Sequence, residues 1–485
     1  MREYSVIYLN GIRKEVRGRD ALLMLADWLR KEMGLIGTKI VCAEGDCGAC
    51  TVLRAFSPTQ AGSLQFEAMN SCIATVAQMD GSHLVTVEGI QNGSELSSVQ
   101  KAMRECHGSQ CGYCTPGFVM ALTGALEVHP ALDAKTACNY LTGNLCRCTG
   151  YQPIIDAAVL AKRESSHSLS QRYLKKEAVS DLIETRKEAL QIKNGGKVFF
   201  APVSLKDAAR FAAENPGFRV VGAGTDLGVQ TNKGRPLPEA MLSLHLIPEL
   251  YEIQKEKQRL IFGARVTLSQ IRQEVESSNP EFARFLNLFA SPQIKNVATL
   301  VGNIANASPI GDTLPFLLVS NGKIHVASWD PQKKSTGKRE IPLTGFFKGY
   351  KKTALDPSEI ITHISFEKNQ KSDALRLYKV SQRKDLDIST VSSAYFIRTS
   401  SSGKKRKIEE ARIAYGGVAA MPIRIVEVEQ WMQGKELNSE LLKQASERIL
   451  KAISPQTDLR GTKAYRKVLA VNLFKKFGLE LLHGE

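Results

Sequence analysis

The chain has 485 residues, 43% hydrophobic and 24% charged, the composition of an ordinary soluble globular protein with material for about three or four domains. No apolar run reaches the roughly 18 residues of a membrane-spanning helix, and the opening "MREYSVIYLNG" alternates like a strand, so a cytoplasmic chain without a signal peptide is expected. The net charge of +16 is uneven, −2 over residues 1–160 and +18 beyond, and it admits a solvated surface, a nucleic-acid partner or an anionic cofactor or acidic partner. The basic runs "KKRK" (404–407) and "DPQKKSTGKRE" (330–340) lack interleaved aromatics and read as loop tips, so no nucleic-acid groove is expected.

Residues 1–88 mix short alternating stretches, "YSVIYLNG", "SLQFEAMNSC" and "HLVTVEGI", with one amphipathic helix, "DALLMLADWLRKEM". They predict a small sheet carrying one helix. Over residues 89–163 four helical stretches follow, "SSVQKAMRECHG", "TPGFVMALTGALEVHP", "DAKTACNYLTG" and "TGYQPIIDAAVLAKR", each bounded by Gly, Pro, Ser or Thr, and they predict a compact bundle. Residues 164–195 are polar and poor in aromatics and read as a partly helical connector. Strands and helices alternate over 196–367, and from 368 to 485 the strands "RLYKVSQ", "AYFIRTS" and "ARIAYGGV" precede a helical tail. The fold class is multidomain α+β.

All ten cysteines precede residue 150, a distribution that speaks against a disulfide framework and for ligation of metal or cluster in the N-terminal third. Cys42, Cys47 and Cys50 form C-x4-C-x2-C, followed by Cys72 in "MNSCIATV", the plant-type ferredoxin spacing for a 2Fe-2S cluster. Gly45 and Gly48 let the backbone wrap tightly and aim amides at the sulfides. Zinc is the competing reading, but zinc sites favour paired CxxC or Cys/His knuckles. A second set, Cys111 and Cys114 in "GSQCGYCTPG" with Cys146 and Cys148 in "GNLCRCTGY", offers four thiolates in two pairs, and spacing alone leaves zinc and a second cluster open. Cys106 and Cys138 read as buried free thiols on helices, and His83 and His107 as structural.

In the second half, "FRVVGAGTDLGVQ" is an apolar strand ending in Gly222, Gly224, Thr225 and Asp226, whose amides and hydroxyl suit a pyrophosphate, although many turns are as rich in glycine. "SPQIKNVATLVGNIANASPIGDTLP" is dense in Gly, Asn, Ser and Asp within an apolar context, as a polar ligand along a buried loop requires or as an ordinary turn cluster shows.

The cysteine motifs, in this order, resemble the iron-sulfur half of the xanthine dehydrogenase/aldehyde oxidase family of molybdenum hydroxylases over roughly 3–160. The two glycine-rich segments resemble the FAD domain of the same family, of vanillyl-alcohol-oxidase type, over about 198–365. "KVSQRKDLDIS", "RIAYGGVAAMPIR" and "DLRGTKAYRKVLAVNLFKKFG" resemble its C-terminal α+β domain. The resemblance implies a ferredoxin-like β-grasp domain at 1–88 holding one 2Fe-2S cluster on Cys42, Cys47, Cys50 and Cys72, and a four-helix domain at 89–163 holding another on Cys111, Cys114, Cys146 and Cys148. A linker at 164–195, an FAD-binding domain at 196–367 and a C-terminal flavoprotein domain at 368–485 follow. For FAD it implies Val221, Gly222, Ala223, Gly224, Thr225 and Asp226 at the pyrophosphate and Phe289 near the isoalloxazine. It also implies Ala298, Thr299, Gly302 and Asn303 along the cofactor, Asp312 at the loop end, Ile360 and Ile361 near the adenine, and Lys379 offsetting flavin negative charge.

The animal-type enzymes of this family continue into molybdopterin domains, whereas this chain stops at Glu485. The arrangement thus resembles the small subunit of the bacterial two-subunit members, with molybdopterin on a large partner chain and two copies of each in a heterotetramer. The implied function is electron transfer: electrons from xanthine or hypoxanthine oxidation to urate at the partner's molybdenum pass through the second cluster, then the first, to FAD and finally NAD+. No acid, base or nucleophile is expected on this chain. The alternatives are an aldehyde or N-heterocycle substrate, a flavin/iron-sulfur regulatory protein, and a stand-alone NADH-dependent reductase.

Overall fold

Period-two alternation in "YSVIYLNG" becomes the strand Tyr4–Leu9, which turns at Asn10 and Gly11 into Ile12–Arg17. The computed structural model describes residues 1–57, 64–91, 93–163, 168–370, 372–402 and 405–483. Its first sheet runs Ile12–Arg17, Tyr4–Leu9, Ser82–Val85, Thr51–Ala55, Phe66–Asn70, with only the pair Tyr4–Leu9 and Ser82–Val85 parallel. The single helix expected over "DALLMLADWLRKEM" is two, Gly18–Leu22 and Leu25–Lys31. Tertiary hydrogen bonds override helical propensity at the break: Val76 donates to the Leu23 carbonyl and Leu25 to the Ala74 carbonyl, so Leu23 and Met24 stay extended.

The four expected helices are Ser98–Glu105, Thr115–Val128, Ala134–Leu141 and Gln152–Leu160. Ser97 and Asp133 cap the first and third through their side chains. Thr115–Val128 is buried from Gly117 to Leu126 because it packs on the first sheet as well as on its neighbours. In the connector stretch the described residues form the helices Leu169–Tyr173 and Lys176–Thr185, while residues 164–167 lie outside the described ones. Leu190–Asn194, at its end, pairs with Lys197–Ala201 and so joins the next sheet. Arg2 ties connector to first sheet, bonding both Asp80 oxygens at 2.9 and 2.8 Å and the Thr185 carbonyl at 2.9 Å.

The second half has two sheets, Leu190–Asn194, Lys197–Ala201, Ala240–Leu242, Arg219–Val220, and an antiparallel one, Ile253–Lys255, Arg259–Gly263, Ile360–Glu367, Lys323–Asp330, Ser335–Pro342. The tail adds Ala374–Val380, Val391–Ser402, Lys405–Gly416 and Ile423–Arg424, followed by the helices Val426–Met432, Ser439–Ala452 and Lys463–His483. The expected loop tips hold in part: "DPQKKSTGKRE" is the exposed turn of a hairpin and its second strand, and of "KKRK" Lys404 lies outside the described residues while the rest begins the strand Lys405–Gly416. Strong cross-strand pairing overrides the polar composition. One core joins the two halves, with Ile7, Trp28, Val52 and Leu84 packing beside Ile192, Phe199 and Met241. No helix among the described residues is long and apolar enough to cross a membrane.

His83 is buried among the rings of Tyr8, Phe66 and Tyr173, and its Nε2 accepts the Gly11 amide at 3.1 Å. Burial pushes its pKa from 6.5 down to about 4. The unfolded chain therefore binds the extra proton within that window, so this contribution to stability is complete above 6.5 and is lost as pH falls through about 4. Thermal unfolding across that range should show stability rising with pH, and His83→Phe should flatten the slope.

Candidate iron-sulfur and flavin centres

The segment carrying the first three cysteines turns through left-handed backbone at Ala43, Gly45 and Gly48, with φ of 55°, 75° and 67°. That wrap brings the amides of Glu44 and Cys47 to 3.4 Å from Cys42 Sγ, while Asn70 Nδ2 donates to Cys50 Sγ at 3.7 Å. The thiols meet in pairs, Cys42 with Cys47, Cys50 with Cys72, and Cys42 with Cys72. Among the described residues no three His, Cys, Asp or Glu side chains close on one point as around a single metal ion. A two-iron core takes two thiolates per iron, which the pairs Cys42/Cys47 and Cys50/Cys72 offer. Hydrogen bonds from the Cys47 and Cys72 thiols, helped by the Glu44 and Cys47 amides, hold Cys42 well below the usual thiol range, and the same sharing pushes Cys47 and Cys72 above it.

In the second set Cys114 faces Cys146 and Cys111 faces Cys148. Burial would raise Cys146, but the Thr149 hydroxyl at 3.2 Å and amide at 3.5 Å bring it below its ordinary value. Cys111 and Cys148 are exposed. The expected burial of the free thiols fails for Cys138, which is exposed, and holds only partly for Cys106. On Ala134–Leu141 it is Ala137 and Leu141, four residues apart, that face inward, and Cys138 falls off that face. His107 is also exposed, at the end of its helix.

The two cysteine sets touch through backbone. Leu145, next to Cys146, donates its amide to the Cys47 carbonyl at 3.0 Å, and Asn144 Nδ2 donates to the Gly48 carbonyl at 3.2 Å. A Cβ on Gly48 would overlap the Gly143 carbonyl, so only glycine permits this approach.

The flavin loop sits on the other side of the first set. Gly224 and Gly228 press against the Ile73 carbonyl, one residue beyond Cys72, with no room for a Cβ at either. Asn232 Nδ2 donates to the carbonyls of Cys72 at 2.7 Å and Ala43 at 2.8 Å, and Lys233 pairs with Glu44 at 3.1 Å. The loop's other residues stay accessible: Gly222, Ala223, Thr225 and Asp226 are partly exposed, while Val221 is buried in one core with Val297, at the root of the second segment. Gly222 accepts Gln78 Nε2 at 2.6 Å and Asp226 accepts Gln230 Nε2 at 2.6 Å. In the second segment Thr299 caps its helix by accepting the Gly302 amide at 3.0 Å, and Asn303 accepts the Thr313 hydroxyl at 2.6 Å. Ala298, Ile360 and Ile361 are buried, and Phe289 packs at the edge of the same core. Asp312 and Lys379 meet in a buried ion pair at 2.8 Å, with Ser389 on the second carboxylate oxygen. Accessible, Cβ-poor backbone on buried roots fits a dinucleotide, and sulfur atoms receiving N–H and O–H donors fit iron-bound thiolates.

Sequence reasoning missed Asn232, Asn144 and Gln293. Gln293 Nε2 donates to Asn144 Oδ1 at 2.7 Å and reaches Thr51 Oγ1 at 3.5 Å, one buried residue from each of three regions. Asn144 and Gln293 lie inside the quoted "GNLCRC" and "SPQIKN"; Asn232 carries no local signal.

Residues 191–366 match the model for the FAD binding domain in molybdopterin dehydrogenase, 86–159 that for a 2Fe-2S binding domain, and 376–481 that for the CO dehydrogenase flavoprotein C-terminal domain. Xanthine dehydrogenase 1 of Arabidopsis thaliana is 29% identical over 99% of this chain and 40% of its own length. Xanthine dehydrogenase of Drosophila subobscura is 30% identical over 97% and 38%. The chain thus spans about two fifths of the curated relatives it matches. Among solved structures, carbon monoxide dehydrogenase from Hydrogenophaga pseudoflava aligns with a TM-score of 0.52 at 24% identity over 57% of this chain and 93% of that one. Quinoline 2-oxidoreductase from Pseudomonas putida 86 aligns at 0.52 and 23% over 59% and 96%, and both likenesses show the fold. The chain is homologous to xanthine dehydrogenases, which are molybdenum hydroxylases, and carries 2Fe-2S-binding and FAD-binding domains.

Gly228→Ala should push the flavin-side helix off the Ile73 carbonyl at a cost of about 1–3 kcal/mol, read as a lower unfolding temperature. In the loaded protein iodoacetamide should label Cys138, and Cys138→Ala should abolish that labelling with full iron content retained.

Proposed function

We propose that this chain is the electron-transfer part of a molybdenum hydroxylase, holding three redox groups in a line that ends at a flavin cleft. The observation that carries this reading is the wedged position of the first cysteine loop. Its Cys47 carbonyl is bonded to Leu145, beside Cys146, and its Cys72 carbonyl to Asn232, on the helix that follows the flavin loop. Two peptide contacts thus link all three sites. Residues 1–88 and 89–163 hold one 2Fe-2S cluster each, 164–195 connect, 196–367 hold FAD on the loops named above, and 368–485 pack behind it. Bound there, the clusters supply one-electron chemistry and FAD the exchange between one- and two-electron steps.

The chain's own residues hold and orient these groups. Exposed Cys111 and Cys148 lie in the region of exposed Tyr113 and Leu145, a face suited to a large molybdopterin-bearing partner, in an assembly of two chains of each kind. The near-complete coverage of this chain by xanthine dehydrogenases supports xanthine as the partner's substrate, and the same reading takes hypoxanthine as a second substrate, NAD+ as the acceptor and the cytoplasm as the location.

The test is composition and then direction of flow. The purified chain should contain about four irons and one FAD, and stoichiometric zinc would sink the cluster assignment. With its partner, Cys47→Ser should keep FAD and flavin reduction by NADH but stop flavin reduction by purine, because oxygen replaces thiolate poorly on iron. Rapid-mixing absorbance separates the two reactions, and unimpaired flavin reduction by purine in a variant lacking that cluster would refute the order.

A further inference from the structure

Where the end of strand Thr51–Ala55 meets the flavin half, three arginines gather around two aromatic rings. Arg54 and Arg186 lie over the Phe56 ring at 4.4 and 4.6 Å, Phe56 is 5.9 Å from the Tyr251 ring, and Arg265 lies 5.8 Å from Tyr251 and reaches its hydroxyl at 3.5 Å. Arg186 is satisfied, donating to the Gly81 carbonyl at 2.8 and 2.6 Å and to the Ser57 carbonyl. Arg54 is not: its Nε and Nη2 are sealed from solvent without a partner. Glu67, its register partner on the next strand, is exposed and acts only at longer range. Buried His245, surrounded by Arg265, Arg54, Arg2 and Arg186, is held neutral by burial and by those charges, and its Nε2 is also unpartnered. Asp80 is engaged by Arg2, so the seam holds more buried positive charge than the carboxylate set against it.

We propose that Arg54 and Arg265 form a phosphate-binding site at the seam between the first sheet and the flavin half. The Tyr251 hydroxyl is spent on the His245 carbonyl at 3.0 Å, so the donors left for tetrahedral phosphate oxygens are the guanidinium forks, and two of them from different regions make the bound phosphate a clasp across the seam. A Cβ on Gly222, in the flavin loop, would lie 3.3 Å from Arg265 Nη1, so the site adjoins that loop. The phosphate is therefore either inorganic phosphate or the diphosphate of FAD, the second source resting on the flavin reading above.

The test uses the intact iron-loaded chain, FAD-replete and FAD-stripped, titrated calorimetrically with inorganic phosphate and with FAD. Arg54→Met and Arg265→Met should each weaken one of these ligands about ten- to a hundredfold, while Lys333→Met, on the exposed hairpin turn, leaves both unchanged. Arg54→Lys and Arg265→Lys should recover part of the loss, and iron content with circular dichroism identifies folded variants. Phosphate binding to FAD-replete protein that the variants lose assigns inorganic phosphate; phosphate binding only after stripping, with FAD weakened in the variants, assigns the dinucleotide. Unchanged affinity for both ligands in folded Met variants overturns the proposal. Wild-type protein that binds phosphate but never FAD would refute the flavin reading and leave this site standing.

Discussion

Everything in this protein depends on how closely backbone approaches backbone around the loop from Cys42 to Cys50. One side of that loop receives the Leu145 amide on the Cys47 carbonyl, and the Ile73 carbonyl on the other side is covered by Gly224 and Gly228. Side chains between these surfaces would push the sites apart, and electron tunnelling weakens steeply with separation. Glycine at Gly48, Gly224 and Gly228 removes the spacer, and the hydrogen bonds of Asn144 and Asn232 fix the distance that glycine allows.

Polar groups hold this junction in register where apolar packing alone would permit sliding. Thr51, Asn144 and Gln293 are buried together, and Gln293 Oε1 has no partner. An unsatisfied buried acceptor costs about 1–3 kcal/mol, so the arrangement is poor as a source of stability and strong as a constraint on geometry. The Arg2–Asp80 pair does the same between first sheet and connector, with both carboxylate oxygens and two connector carbonyls engaged. Directional bonds at the seams and apolar packing within each layer divide the work.

Charge follows the same division. Beyond residue 160, where the excess of +18 lies, exposed lysines and arginines make screened ion pairs such as Lys333 with Asp330 or Arg210 with Asp207. Arg54 belongs to the acidic first third, yet it is the cation that burial strips of solvent and partner beside the flavin half. Net charge by region therefore gave no warning of where the electrostatically consequential arginine lies.

The sequence by itself determined the local chemistry. C-x4-C-x2-C with Cys72, CxxC with CxC, the alternating strands and the four capped helices could be read because each depends on residues a few positions apart. Tertiary structure decided what depends on distant partners: the split of "DALLMLADWLRKEM" by hydrogen bonds from the Ala74–Val76 segment, the exposure of Cys138, the pairing of Lys379 with Asp312, and the use of Asn232. Asn232 and Cys72 are 160 residues apart. Helical and strand periodicities reach only a few residues along the chain, so no pattern in the sequence could place that amide on that carbonyl, and only packing of the flavin half against the cysteine loop did.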